Sequence, residues 1–109
     1  MSKAIEFIET SIFTRQIKEL ATDDEFRNLQ IELIANPLAG ALIVGTGGLR
    51  KIRLAAGGKG KSGGARVIYF VATEEVIYLL LAYPKSAKES LTSADKAILK
   101  SLMKQFKQV

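Results

Sequence analysis

LRKIRLAAGGKGKSGGARVIYF, residues Leu49 to Phe70, joins two strand-like segments through a loop made almost wholly of glycine and lysine. It carries Arg50, Lys51, Arg53, Lys59, Lys61 and Arg66 and no acidic residue. In Leu49-Arg50-Lys51-Ile52-Arg53-Leu54 the period of two sends Lys51 and Arg53 to one face of a strand and Ile52 and Leu54 to the other, toward a core. A sheet that aims two cations outward invites a polyanion. The glycines of the loop add little bulk, which lets a phosphate chain approach the backbone.

Strands extend outward from this stretch. Ala65 to Ala72 and Val76 to Tyr83, joined by Thr73-Glu74-Glu75, predict an antiparallel hairpin. Both are apolar on both faces, so they belong in the middle of a covered sheet. Upstream, Ala41 to Val44 predicts a short strand ahead of the Gly45-Thr46-Gly47-Gly48 turn, and Ala4 to Ile8 a first strand. Ser11 is placed to cap a helix bearing Phe13, Ile17 and Leu20. Thr22-Asp23-Asp24-Glu25 is a capping box that opens a second helix with Phe26, Leu29 and Leu33, ended by Asn36-Pro37. The acidic cluster at its start suits the helix dipole better than it suits a metal. Thr92-Ser93-Ala94-Asp95 is a second box, opening a C-terminal helix with Ala94, Ile98, Leu102 and Phe106 as its apolar stripe. Lys96, Lys100 and Lys104 form another, solvated face. The order of elements predicts one α+β domain spanning residues 1–109, with helices packed on an antiparallel sheet.

Composition narrows the function. A chain of 109 residues with 48% hydrophobic content buries a core without staples. The absence of cysteine removes disulfides, thiolate chemistry and zinc-thiolate sites, and fits a reducing cytoplasm. No apolar run reaches membrane-spanning length, so a soluble cytoplasmic protein with no membrane partner is expected. The net charge of +5 hides a division: residues 1–48 hold four basic and seven acidic side chains, a balance of −3, whereas residues 49–109 hold twelve and four, a balance of +8. A basic half of this kind points to nucleic acid or an acidic protein.

Phosphate-binding motifs fail on context. Gly58 to Gly63 satisfies G-x-G-x-x-G, but the next segment is a strand, not a helix. Gly60-Lys61-Ser62 lacks the P-loop glycine at Ala55, and Gly60 to Gly63 does not join two helices as a KH loop does. There is no histidine, so acid–base work falls to Lys, Arg, Tyr, Asp or Glu. RNA cleavage tolerates this, because the substrate brings its own nucleophile, the 2′-hydroxyl, and clustered cations stabilise charge on the phosphate. No cofactor and no metal site is read from the chain. A general single-strand binder would want stacking aromatics, and Tyr69 and Phe70 lie in a buried strand.

The segment GTGGLRKIRLAAGGKGKSGGARVIYF, followed by Leu81-Ala82-Tyr83-Pro84-Lys85 and Lys88-Glu89-Ser90-Leu91-Thr92, resembles the HigB-type branch of the RelE toxin superfamily. The resemblance implies a ribosome-dependent endoribonuclease that cuts messenger RNA and is held inactive by a cognate antitoxin. It implies that Lys51 or Arg53 assists deprotonation of the 2′-hydroxyl and that Arg66 stabilises the developing charge. Lys85 occupies the other edge of the site. The family's closing arginine and tyrosine are Ser86 and Thr92 here, which leaves Tyr83 and Lys85 as candidates for the leaving-group acid. Arg50, Lys59 and Lys61 are read as RNA-binding. The alternative on the same scaffold is a noncatalytic, ParE-like protein that acts on gyrase by binding.

Overall fold

The computed structural model describes residues 4–56, 64–87 and 91–107. The tip of the glycine-lysine loop with Lys59 and Lys61, the Lys88-Glu89-Ser90 segment and the side chain of Phe106 lie outside the described residues. The elements run β1 (Glu6–Glu9), α1 (Ser11–Leu20), α2 (Asp23–Ala35), β2 (Ala41–Leu42), β3 (Arg50–Leu54), β4 (Ala65–Val71), β5 (Val76–Pro84) and α3 (Ser93–Lys107). The strands form one sheet in the order β1-β5-β4-β3-β2. The fold is α+β, with the apolar hairpin β4–β5 in the interior as its composition requires. One pairing departs from the antiparallel pattern. β1 runs parallel to β5, Glu6 opposite Val76 and Glu9 opposite Leu79, so the sheet is mixed.

The chain then turns at Thr10, and this residue, not Ser11, caps α1. Its extended backbone lets Oγ1 accept the Phe13 N–H at 3.0 Å while the same hydroxyl donates to the Leu80 carbonyl at 2.8 Å. The carbonyl it reaches lies at a bulge: Ile68 pairs with Leu81 and Tyr69 with Leu79, which leaves Leu80 as the extra residue. Leu80 and Leu81 are in consequence both buried in the same core cluster. Beyond the last β1 pair, the free edge of β5 is met by α1, whose Gln16 Oε1 accepts the Ala82 N–H at 2.8 Å.

Both faces of the sheet are covered. On one, Phe13 and Ile17 of α1 and Leu29 and Leu33 of α2 pack on Ile52, Leu54, Val67, Tyr69, Ile77 and Leu79. The Phe13 and Phe26 rings meet at 5.7 Å and tie the two helices together. The Thr22–Glu25 box forms as predicted, and α2 ends at Asn36. On the other face, α3 lays Leu99 and Met103 over Leu49, Ile68, Leu80, Leu81 and Tyr83. The inner line of α3 therefore differs from the predicted stripe: Ala94 and Ile98 face solvent, with Ile98 45% exposed. The sheet groove takes the Leu99–Met103 ridge, one residue round the helix. The Thr92–Asp95 box is formed, with reciprocal bonds of 3.0 and 3.1 Å.

Candidate active site

β3, β4 and β5 place the predicted residues by register. Arg53 lies opposite Arg66, and Arg66 opposite Tyr83, so the three form one row across adjacent strands on the face that α3 partly covers. Lys51 heads the next row, opposite Ile68, which pairs with Leu81. Strand spacing sets Lys51 and Arg53 roughly 7 Å apart along β3 and puts Arg53 and Tyr83 roughly 10 Å apart across the sheet. Four of the candidates thus share one face. Lys85 follows the last residue of β5, its N–H bonded to the Gly64 carbonyl at 3.0 Å, which pins the edge of the site where the glycine-lysine loop rejoins β4.

Exposure divides the row. Arg53 is exposed and Lys51 partly so, whereas Arg66 is 7% and Tyr83 4% exposed. Arg66 Nη1 donates to the Ala65 carbonyl at 3.1 Å, which orients the guanidinium from within its own strand. Burial pushes the Tyr83 phenol above its ordinary pKa, the nearby Arg66 charge pulls it down, and Asp95 of α3 pushes it up again. The Tyr83 phenol is therefore held neutral near the Arg66 charge. Asp95 reaches this neighbourhood because it is the second member of the α3 capping box, a signal carried by the Thr92–Asp95 spacing.

Arg50 does not join the group. The period of two that turns Lys51 and Arg53 to one face turns Arg50 to the other, opposite Tyr69. There its Nη1 donates to the Gly40 carbonyl at 2.8 Å and to the Leu38 carbonyl at 3.4 Å. Beside it, the buried Tyr69 hydroxyl accepts the Gly40 N–H and donates to the Pro37 carbonyl, both at 2.8 Å. Arg50 and Tyr69 together clamp the loop between α2 and β2. Gly40 is required by space: an added Cβ would lie 2.7 Å from Tyr69 Cε1 and 2.9 Å from the Lys51 carbonyl oxygen. The clamped loop thus packs directly against the backbone of Lys51. It was not visible in the sequence, because its partners lie 29 and 32 residues apart.

No helix among the described residues is long and apolar enough to cross a membrane. The family model of the RelE toxin of RelE/RelB toxin–antitoxin systems matches residues 7–109. That span runs from β1 through α3 and contains every strand that builds the cationic row. This chain belongs to the RelE toxin family.

Proposed function

We propose that the chain is a HigB-type, ribosome-dependent endoribonuclease that cleaves messenger RNA and so arrests translation, and that a cognate antitoxin restrains it. The observation that carries the reading is the register that aligns Arg53, Arg66 and Tyr83 across three strands, with Lys51 one row away on the same face. The 2′-hydroxyl of the substrate attacks the adjacent phosphorus, and the bond from phosphorus to the 5′-oxygen breaks. Lys51 or Arg53 assists removal of the 2′-proton; Lys51 suits the role better, since a guanidinium scarcely deprotonates. Arg66 balances the charge that builds on the phosphoryl oxygens. Tyr83 or Lys85 supplies the proton to the departing 5′-oxygen. The products are a 2′,3′-cyclic phosphate and a 5′-hydroxyl, and the reaction uses no metal-activated water. Lys59 and Lys61 contribute docking on ribosomal RNA.

Expression without antitoxin is expected to arrest growth, and Ala at Lys51, Arg53 or Arg66 to relieve it, with a loss of about a hundredfold in cleavage rate for removal of one charge-stabilising group. A Lys51/Arg53/Arg66 triple substitution as toxic as the parent would show the site to be misplaced. Product ends carrying 5′-phosphate would replace the 2′-hydroxyl with water as nucleophile. The burial of Arg66 and Tyr83 favours a second reading, a noncatalytic ParE-like protein that acts by binding gyrase. Arrest with intact messenger RNA and inhibited gyrase would select it.

A further inference from the structure

Lys85 stands in register with the cationic row although it lies one residue beyond β5. The bond from its N–H to the Gly64 carbonyl, 3.0 Å long, continues the β4–β5 ladder past the Ala65–Pro84 pair. By the period of two, Lys85 therefore shares the face of Tyr83. Successive rows across that face are Lys51–Ile68–Leu81, then Arg53–Arg66–Tyr83, then Gly64–Lys85. Lys51 and Lys85 thus occupy opposite corners, with Arg66 at the centre and roughly 8 Å from each between Cα atoms at ordinary strand spacing. Gly64 puts no side chain between Lys85 and Arg66. A second bond, from the Ala87 N–H to the Pro84 carbonyl at 3.0 Å, closes a turn around Lys85 and fixes its backbone from the other side.

In-line displacement sets the attacking and leaving oxygens on opposite sides of phosphorus. A phosphate seated over Arg66 has Lys51 toward one of those oxygens and Lys85 toward the other, whereas Tyr83 lies in the row of Arg66 itself. Tyr83 is also 4% exposed, and both burial and the Asp95 charge hold its proton on. Giving that proton up would create a phenolate in a dry setting that faces a carboxylate, at the full cost of an added buried charge. Lys85 is partly exposed and becomes a neutral amine on donation, so no buried anion is formed. We propose that Lys85 is the leaving-group acid and that Tyr83 keeps its proton through the reaction. The assignment rests on the cleavage reading and decides between the two donors which that reading admits. The Lys85 ammonium passes a proton to the 5′-oxygen as the bond from that oxygen to phosphorus breaks. The new bond joins the 2′-oxygen to phosphorus, and the 2′-proton leaves at the Lys51 end, so one proton is taken up for each one given.

The test compares two messenger RNAs on programmed ribosomes, one natural and one with sulfur in place of the bridging 5′-oxygen at the cleaved bond. A thiolate departs without being protonated, so the sulfur substrate has no need of the acid. Lys85→Met is expected to slow single-turnover cleavage at saturating ribosomes about a hundredfold on the oxygen substrate, the low end of what a positioned acid contributes, and to match the parent on the sulfur substrate. Lys85→Arg keeps the charge but is a poor proton donor, and is expected to behave as Lys85→Met does. Tyr83→Phe is expected to lose the same small factor on both substrates. Circular dichroism checks the fold of each variant, and the ladder bond to Gly64 survives in all because it is made by the backbone. A sulfur rescue confined to Tyr83→Phe overturns the proposal, as does Lys85→Met that cleaves at the parental rate or is slowed equally on both substrates. Full activity of Lys85→Arg on the oxygen substrate overturns it too, since charge alone would then suffice. Failure of the cleavage reading shows itself in the parent, through intact messenger RNA or 5′-phosphate ends, and is told apart from all of these.

Discussion

Gly40 is the residue at which packing and site meet, because its missing Cβ lets the Tyr69 ring and the Lys51 carbonyl close on one point. The Lys51 carbonyl belongs to the sheet and cannot swing aside as a side-chain tip can. Gly40→Ala is therefore expected to cost about 1–3 kcal/mol, a fall in thermal midpoint of roughly 4–8 °C per kcal/mol for a domain of this size. Calorimetric melting checks it. Tyr69→Phe keeps the ring and removes both hydroxyl bonds, leaving the Gly40 N–H and the Pro37 carbonyl short of a partner, and is expected to cost about 1–3 kcal/mol. Toxicity should fall in neither case beyond what the loss of folded protein explains. A selective loss of cleavage in Gly40→Ala at full folding would instead show that the clamp positions Lys51.

At the scale of elements, local signals were legible and distant ones were not. Both capping boxes could be read because all their bonds fall within four residues, and the strand at Lys51 because alternation is a property of the chain itself. The face of α3 could not. The helix carries two apolar lines, Ala94–Ile98 and Leu99–Met103, and only the shape of the sheet beneath decides between them. Parallel pairing of β1 with β5 was hidden for the same reason, since nothing near Glu6 specifies a partner 70 residues away. In the site, the row Arg53–Arg66–Tyr83 followed from strand periodicity once register was known, whereas the turning of Arg50 into the Leu38–Gly40 loop depended on where that loop runs. The cap of α3 allows a direct check. Thr92→Ala removes the hydroxyl that accepts the Asp95 N–H and is expected to cost about 1 kcal/mol. Amide exchange should quicken in the first turns of α3 and leave α1 and α2 unchanged.

For the molecule as a whole, two tyrosines buried on opposite faces of the sheet link stability to alkaline pH. Burial is the main cause for each: it raises the Tyr69 phenol, opposed by the Gly40 hydrogen bond and the Arg50 charge, and it raises Tyr83 beside Arg66. Because the folded state holds these protons more tightly than the unfolded chain, their contribution is fully present below the ordinary tyrosine pKa of about 10 and is lost as pH rises above it, through the raised folded values. Denaturant midpoints are expected to be flat with respect to these groups from neutral pH up to that value and to fall beyond it. Tyr69→Phe should shrink the fall, and a profile identical to the parent would detach Tyr69 from it. The same shift keeps Tyr83 protonated, so if it serves as the leaving-group acid, cleavage should show no decline in the range where an unperturbed tyrosine begins to ionise. The parallel pair at the sheet edge also imposes an order in time. β1 is made ahead of its partner Val76–Leu79, which follows about 70 residues later, an interval of roughly 4–14 s at 5–20 residues per second. Until then the first strand has no ladder to join, and Thr10 and Gln16 have no β5 to bond. The sheet is thus unable to close before β5 has been made.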